Sequence, residues 1–489
     1  EPPAPVWDER ERLAELAARR ARVAEFVGPN SVLVLLGAEP RVYTGDVDYE
    51  YRQENNLYYL THLNQPGARF VLMPGHGRHR EVLFLPRPVP AREVWEGRMY
   101  TAEAAMRLSG VNEIWDAGEF EPFMRALLER KPFRPKNESV LLAVAARSGP
   151  GSGGSAADPV GYDTIFAAMG RKESSLYMLT PGAGEAREFR QEREAAARWA
   201  KPDSGLTPRS AWPIFVRLRQ VKSPAEVRLI QHAVNLTARG IGRALAAATR
   251  SGWEYQFEAE IEYAFRSGNA RVGYPSIVAC GENATILHYT ESSGQCRDGE
   301  LLLMDVGAEY GHYSADVTRT VPVSGRFTPA QAEIYNAVLA AQEAALRAAR
   351  PGATLSDVHN AAVRSLKESL LRLGLITERN STQHGLWFMH GTSHWLGMNV
   401  HDVGANDARL EPGMVFTVEP GLYFRADALE RLPQTAEWRR FAEAVRPAFE
   451  KYKNIGVRVE DDVVITAEGH RNLSAAVPRT VAEIEAAMK

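Results

Sequence analysis

Residues 301–306 read Leu301-Leu302-Leu303-Met304-Asp305-Val306, an apolar run that suits a buried strand until it reaches the aspartate. Period-2 alternation puts Asp305 on the same face as Leu301 and Leu303. A bare carboxylate on such a face is prohibitively costly to bury, so it must be solvated, paired with a cation or bound to metal. Asp316 follows on what reads as the return strand of a hairpin, Ala315–Val323.

The residues upstream show how this hairpin is reached. Ser223-Pro224-Ala225-Glu226 is a capping box with proline at the first helical position. Val227, Ile230, Val234, Ile241 and Leu245 mark one helical face behind it. A second helix is expected after Gly252, with Phe257, Ile261 and Phe265 at four-residue spacing and Gly268 to end it. The order then recurs. Thr328-Pro329-Ala330-Gln331 is another capping box, opening a helix that runs to Pro351-Gly352, and Leu355, Val358, Val363, Leu366 and Leu370 mark its successor. Strands are expected again at Met414–Val418 and Gly456–Thr466. Two successive helix-helix-strand-strand units predict an internally duplicated α/β domain, whose site would draw matching residues from both halves.

The second half supplies them. Glu419 ends its first strand, and Glu460 lies within the second. One acid in such a place is ordinarily a strand-end or solvent-facing group. Four, in matching places of two similar halves, favour a common site. Of twelve histidines in the chain, His384, His390, His394 and His401 crowd into 384–401. The text Met389-His390-Gly391-Thr392-Ser393-His394-Trp395-Leu396-Gly397 is glycine-rich and reads as a loop. His384, His312, His359 and His470 are expected to be structural hydrogen-bonders. Four carboxylates with one imidazole make a hard, oxygen-rich donor set that favours manganese or a similar divalent ion over structural zinc. Their number suits two ions, since carboxylates bridge.

The first part of the chain reads as a separate α/β domain. A surface helix is expected from about Trp7 to Val27, then strands at Val32–Leu36, Phe70–Met73, Val82–Leu85 and Leu176–Leu179. Ser148–Ser155 (SGPGSGGS) reads as a linker or a loop, and the proline-bearing stretch Lys201–Pro213 as the better domain boundary. We therefore expect domains at 1–211 and 212–489, as befits a chain of 489 residues. With 58 Lys+Arg against 61 Asp+Glu, the net charge of −3 removes the case for a general nucleic-acid binder. At 45% hydrophobic residues the chain is not disordered, and no apolar run approaches a membrane span. Cys280 and Cys296 are too few for a disulfide framework and are expected to be buried free thiols. No charged-then-apolar signal lies within the first 30 residues. The expected compartment is the cytoplasm, with a secreted or periplasmic placement left open because the sequence starts at Glu1.

The segments Asp305…Asp316, HGTSHWLG (390–397), NVHDVG (399–404), TVEPGLY (417–423) and GVRVEDDVVIT (456–466) resemble the proline-specific metallopeptidases of the pita-bread fold, specifically the Xaa-Pro aminopeptidase (aminopeptidase P) family. YRQENNLYYLTHLNQPGA (51–68) is similar to that family's N-terminal domain. The resemblance implies an N-terminal α/β creatinase-like domain followed by a catalytic pita-bread domain with an internal pseudo-two-fold repeat. It implies that Asp305 binds a second metal, that His394 and Glu419 bind a first, and that Asp316 and Glu460 bridge the two. Glu419 would also handle a proton, His288 and His401 would hold substrate and stabilise the tetrahedral intermediate, and His390, Tyr423 and Arg458 would line a proline pocket. The implied cofactor is a pair of divalent ions, Mn2+ with Zn2+ or Co2+ as alternatives. The implied substrates are peptides with proline in second position, cut by a homo-oligomer, dimer or tetramer. A prolidase, which cuts only Xaa-Pro dipeptides, shares the ligands and is the nearest rival. A non-catalytic pita-bread module and a metal-free creatinase-like enzyme would be expected to lack some of them. Residues 425–453, rich in Arg, Glu and Ala, read as a helix-bearing insertion, and the 148–155 loop as a second elaboration.

Overall fold

Glu9–Val27 forms the first helix, capped by the Asp8 carboxylate and burying Leu16, Val23 and Val27. The computed structural model describes residues 2–5, 7–77, 80–136, 159–181, 189–248 and 252–489. The Ser148–Ser155 segment lies outside the described residues. Two compact units divide the chain, one of Trp7–Leu218 and one of Arg219–Lys489 together with Glu1–Val6.

The first unit is built on a mixed six-stranded sheet. Its order is Glu113–Asp116, Glu81–Leu85, Arg69–Leu72, Val32–Leu36, Ser174–Met178 and Leu206–Ser210. Val32–Leu36 is buried along its whole length, which explains its unbroken apolar run. Phe84, Trp115, Phe120 and Phe123 fill one face in edge-on or tilted pairs 5.1–5.8 Å apart. The proline-bearing stretch 201–213 holds the last strand of this sheet. Pro208 is accommodated because that strand is an edge, where a missing N–H costs no ladder bond.

In the second unit the expected repeat is present. Helices Pro224–Ala248 and Glu254–Ser267 precede a three-stranded antiparallel sheet of Ile277–Cys280, Leu301–Val306 and Val317–Pro322. Helices Pro329–Ala348 and Leu355–Arg372 precede a second one of Val415–Val418, Asp461–Ile465 and His470–Asn472. Both capping boxes form, with Ser223 and Glu226 exchanging hydrogen bonds, and Thr328 and Gln331 likewise. The helix after Thr328 stops at Ala348, short of Pro351-Gly352. Gly456–Thr466 is not one strand. Gly456–Arg458 pairs with Gly421–Tyr423, Asp461–Ile465 pairs with Val415–Val418, and Val459-Glu460 break between them. The 425–453 segment carries a helix, Ala436–Tyr452, whose Phe441, Val445, Phe449 and Tyr452 are buried.

The cysteines correct one expectation. Cys280 and Cys296 are not free thiols but form a disulfide, with Cα atoms 5.3 Å apart. Cys280 ends an edge strand, and Cys296 lies in a two-residue ribbon paired with Gly252–Trp253, so topology brings together residues that spacing alone does not join. Among the described residues, no helix is long and apolar enough to cross a membrane.

Candidate active site

Asp305 pairs with Ile277 on one side and Thr318 on the other, so its face of the sheet continues through Leu303 and Thr320. Those threonines join the two halves of the repeat. Thr318 Oγ1 donates to Glu460 Oε2 at 2.6 Å, its carbonyl accepts from the Glu460 N–H, and Thr320 Oγ1 exchanges hydrogen bonds with the Arg458 backbone. The break at Val459-Glu460 is what lets the second-half acid turn onto the first-half sheet. Asp316, just before the strand Val317–Pro322, is held by its N–H donating to Asp462 Oδ2.

The histidine loop lies beside Val415–Val418 as an irregular extra strand. Thr417 N–H donates to the His394 carbonyl, His394 N–H to Thr417 Oγ1, and Glu419 N–H to the Thr392 carbonyl. This register sets His394 opposite Thr417 and diagonal to Glu419, two residues on and on the same face. His394 Nε2 lies 3.3 Å from Asp316 Oδ2 and 3.4 Å from Glu419 Oε1. Nδ1 of His394 faces the Trp395 carbonyl, which leaves Nε2 for the acids. Gly397 is required within the loop, because a Cβ there would meet the Asp402 carboxylate at 2.2 Å. Asp402 is itself buried between Arg219 and Lys222.

Asp316, His394 and Glu460 each offer an atom within 4.8 Å of the others. Arg458 pairs with Asp305, donates to Tyr423 Oη at 2.8 Å and reaches Thr318 Oγ1 at 3.2 Å. His390 Nε2 lies 2.9 Å from Tyr423 Oη, and its Nδ1 is 3.5 Å from Glu419. The expected ligands and the three expected proline-pocket residues thus form one connected cluster. His401 packs edge-on against His394 at 4.3 Å between ring centroids, and exposed His288 acts on it electrostatically. His359 hydrogen-bonds Thr392 and His470 the Ala349 carbonyl, the structural roles expected of them.

Negative charge outweighs positive here. Burial, with the charges of Asp316, Glu419 and Asp305, pushes Glu460 well above the carboxylate range. Burial raises Glu419 to about 7 against the opposing charges of His394 and Arg458. Asp316 is raised by burial and by Asp305, whereas Asp305, despite its burial, is held low by Arg458 and Tyr274. His394 overcomes burial through Asp316 and Glu419 and rises to about 9. Burial and the charge of His394 lower His401 to about 4. Buried carboxylates this crowded call for more cation than one arginine and one histidine supply, and their oxygen-rich donor set fits a divalent metal.

Two residues escaped sequence reasoning. Tyr274 Oη lies 2.6 Å from Asp305 and 2.5 Å from Asp316, tying the two acids together. Nothing in Gly273-Tyr274-Pro275 advertises this, since the partners are far along the chain. Asp462, fully buried beside Asp316, had a visible signal in the acid pair Asp461-Asp462 after Glu460.

Comparisons with known proteins agree with this geometry. The family model described as "Aminopeptidase P, N-terminal domain" matches residues 16–134, and "Metallopeptidase family M24" matches 228–467. The Xaa-Pro aminopeptidase of Escherichia coli (strain K12) is 34% identical over 97% of each chain, and that of Haemophilus influenzae 33% over 96% of each. The solved structure of E. coli aminopeptidase P with the inhibitor Pro-Leu matches with a TM-score of 0.77 at 32% identity, covering 99% of both chains. Pseudomonas aeruginosa aminopeptidase PepP matches with a TM-score of 0.77 over 97% of both. These names favour neither the dipeptidase nor the non-catalytic alternative. With creatinase-type and pita-bread units both present and a divalent-metal donor set at the junction of the repeat, the chain belongs to the aminopeptidase P family of M24 metallopeptidases.

Proposed function

We propose that this peptidase hydrolyses the bond between an N-terminal residue and a proline in second position, with Glu1–Ala211 as its N-terminal domain and Trp212–Lys489 as the catalytic one. The observation that carries this is the convergence of Asp305, Asp316, His394 and Glu460 from both halves of the repeat, beside the linked group His390, Tyr423 and Arg458. Two divalent ions, Mn2+ in preference to Zn2+ or Co2+, would be held by Asp305, Asp316, His394, Glu419 and Glu460, with Asp316 and Glu460 shared between them. Bound there, such ions supply a nucleophile from water at neutral pH and Lewis-acid stabilisation of the carbonyl oxygen.

The chain's own residues do the rest. Glu419 takes a proton from the attacking water and delivers one to the proline nitrogen. That nitrogen belongs to a tertiary amide without an N–H, so it leaves only once protonated and offers nothing to peptidases that need that donor. His401, neutral at pH 7, donates an N–H to the carbonyl oxygen as charge develops there, and His288 orients the peptide beside it. Tyr423, His390 and Arg458 wall the proline ring, and Arg458 keeps Asp305 ionised.

The disulfide bears on compartment. Of the placements left open by the sequence, an oxidising one is the reading the Cys280–Cys296 bond supports, because the cytoplasm keeps such thiols reduced. A homo-oligomer, dimer or tetramer, completes the proposal and rests on family resemblance.

The test is metal content. Asp316→Asn and Glu460→Gln should each lose both ions and all measurable activity, because each side chain is shared. Either variant retaining two tightly bound ions per chain by elemental analysis would remove its bridging role.

A further inference from the structure

His288 lies on a loop, outside the strand that carries Asp305 and the one that follows Asp316. It is exposed on the stretch between Cys280 and Cys296, sixteen residues apart, which leaves the strand Ile277–Cys280 and returns to the ribbon Gln295–Cys296. Left to itself, a loop of that length would place an exposed imidazole poorly.

Three features bind the segment down. The disulfide closes its ends. Glu254, fully buried at the start of the helix Glu254–Ser267, gathers its interior: the carboxylate accepts from Cys280 N–H at 2.7 Å, Asn283 Nδ2 at 2.9 Å, Tyr289 Oη at 2.7 Å and Gly294 N–H at 2.5 Å. The backbone answers in return, Glu254 N–H donating to the Gly294 carbonyl at 2.9 Å. Gly294 is needed for this approach, since a Cβ there would stand 2.8 Å from both carboxylate oxygens. Third, the neighbours of His288 are anchored on the apolar side of the site, where Leu287 and Tyr289 pack with Ile277, Ala279, Leu303 and Tyr423.

We propose that the Cys280–Cys296 disulfide and the Glu254 carboxylate are positioning elements for catalysis, forming a clamp that presents His288 to the substrate. Neither touches the reacting atoms. Each ties together chain on both sides of His288, and together they replace the conformational freedom of the loop with a single presentation. Glu254 is suited to this because a buried carboxylate with four donors has no better arrangement to relax into. The clamp rests on the role proposed above for His288.

A double-mutant cycle with metal content measured alongside provides the test. In the parent enzyme, Cys280→Ser/Cys296→Ser should retain its metal and its circular dichroism at assay temperature. Its kcat on an Xaa-Pro-Xaa tripeptide should nonetheless fall roughly tenfold, as a misplaced binding group predicts. In a His288→Ala background the same pair of changes should add less than about a twofold loss, because nothing remains to be positioned. Glu254→Gln, which turns an amide NH2 toward groups that donate, should behave alike with the disulfide intact. Unfolded parent protein should show no titratable thiol. Unchanged kcat in the cysteine variant, an equal additional loss in the His288→Ala background, or two free thiols would each overturn the clamp. Where Glu254→Gln fails to fold, the cysteine variant decides. If His288→Ala alone leaves kcat intact with both cysteines present, the role of His288 itself fails, a result distinct from failure of the clamp.

Discussion

Arg458 sits among more negative charge than it can neutralise. It pairs with Asp305, reaches Thr318 beside Glu460 and holds Tyr423, so its charge is spread over both the metal side and the proline side of the site. His401 is a different kind of residue, exposed and packed edge-on against His394. His401→Ala should therefore keep two metals per chain while kcat falls by roughly 10²–10³, the loss typical of one oxyanion donor. Loss of metal in that variant would make it a ligand. The acids were legible as residues because a carboxylate in an apolar strand has few explanations. Tyr274 was not, because a tyrosine before a proline looks the same whether it tethers two carboxylates or points to solvent.

At the scale of elements, the capping boxes and helical stripes of the second unit announced its helices, since local chemistry alone decides them. The strand ends were less legible. The break at Val459-Glu460 and the disulfide both depend on pairing with distant chain, which alternation and spacing do not encode. The helix Ala436–Tyr452 of the 425–453 segment is held by its buried face. Phe449 stacks on the buried Trp387 at 5.6 Å, Trp387 packs on Phe424 next to Tyr423, and Tyr452 Oη donates to Glu333. The helix thus backs the wall of the proline side. Phe449→Ala should cost about 3–5 kcal/mol of stability by chemical denaturation, the usual loss for a buried phenylalanine. A change within experimental error would mean that this helix is an ornament rather than a support.

For the molecule as a whole, duplication is the organising fact. Each half of the repeat supplies a helix pair, a three-stranded sheet and two acids, and the threonines of one half meet the Arg458-to-Glu460 segment of the other. The order of these parts was readable, because the acids recur in matching places even where the halves share little sequence. Assembly was not, and analytical ultracentrifugation of the metal-loaded enzyme should return a dimer or tetramer, with a monomer at working concentration excluding that part of the proposal. The central claim is selectivity for proline in second position with the chain continuing beyond it. The most direct measurement is kcat/KM of the manganese-loaded enzyme on matched Xaa-Pro-Xaa, Xaa-Pro and Xaa-Ala-Xaa peptides. The account predicts release of the first residue from the proline tripeptide at least as efficiently as from the dipeptide, and poor cleavage of the alanine peptide. Cleavage of the dipeptide alone, or equal rates on proline and alanine, would contradict it.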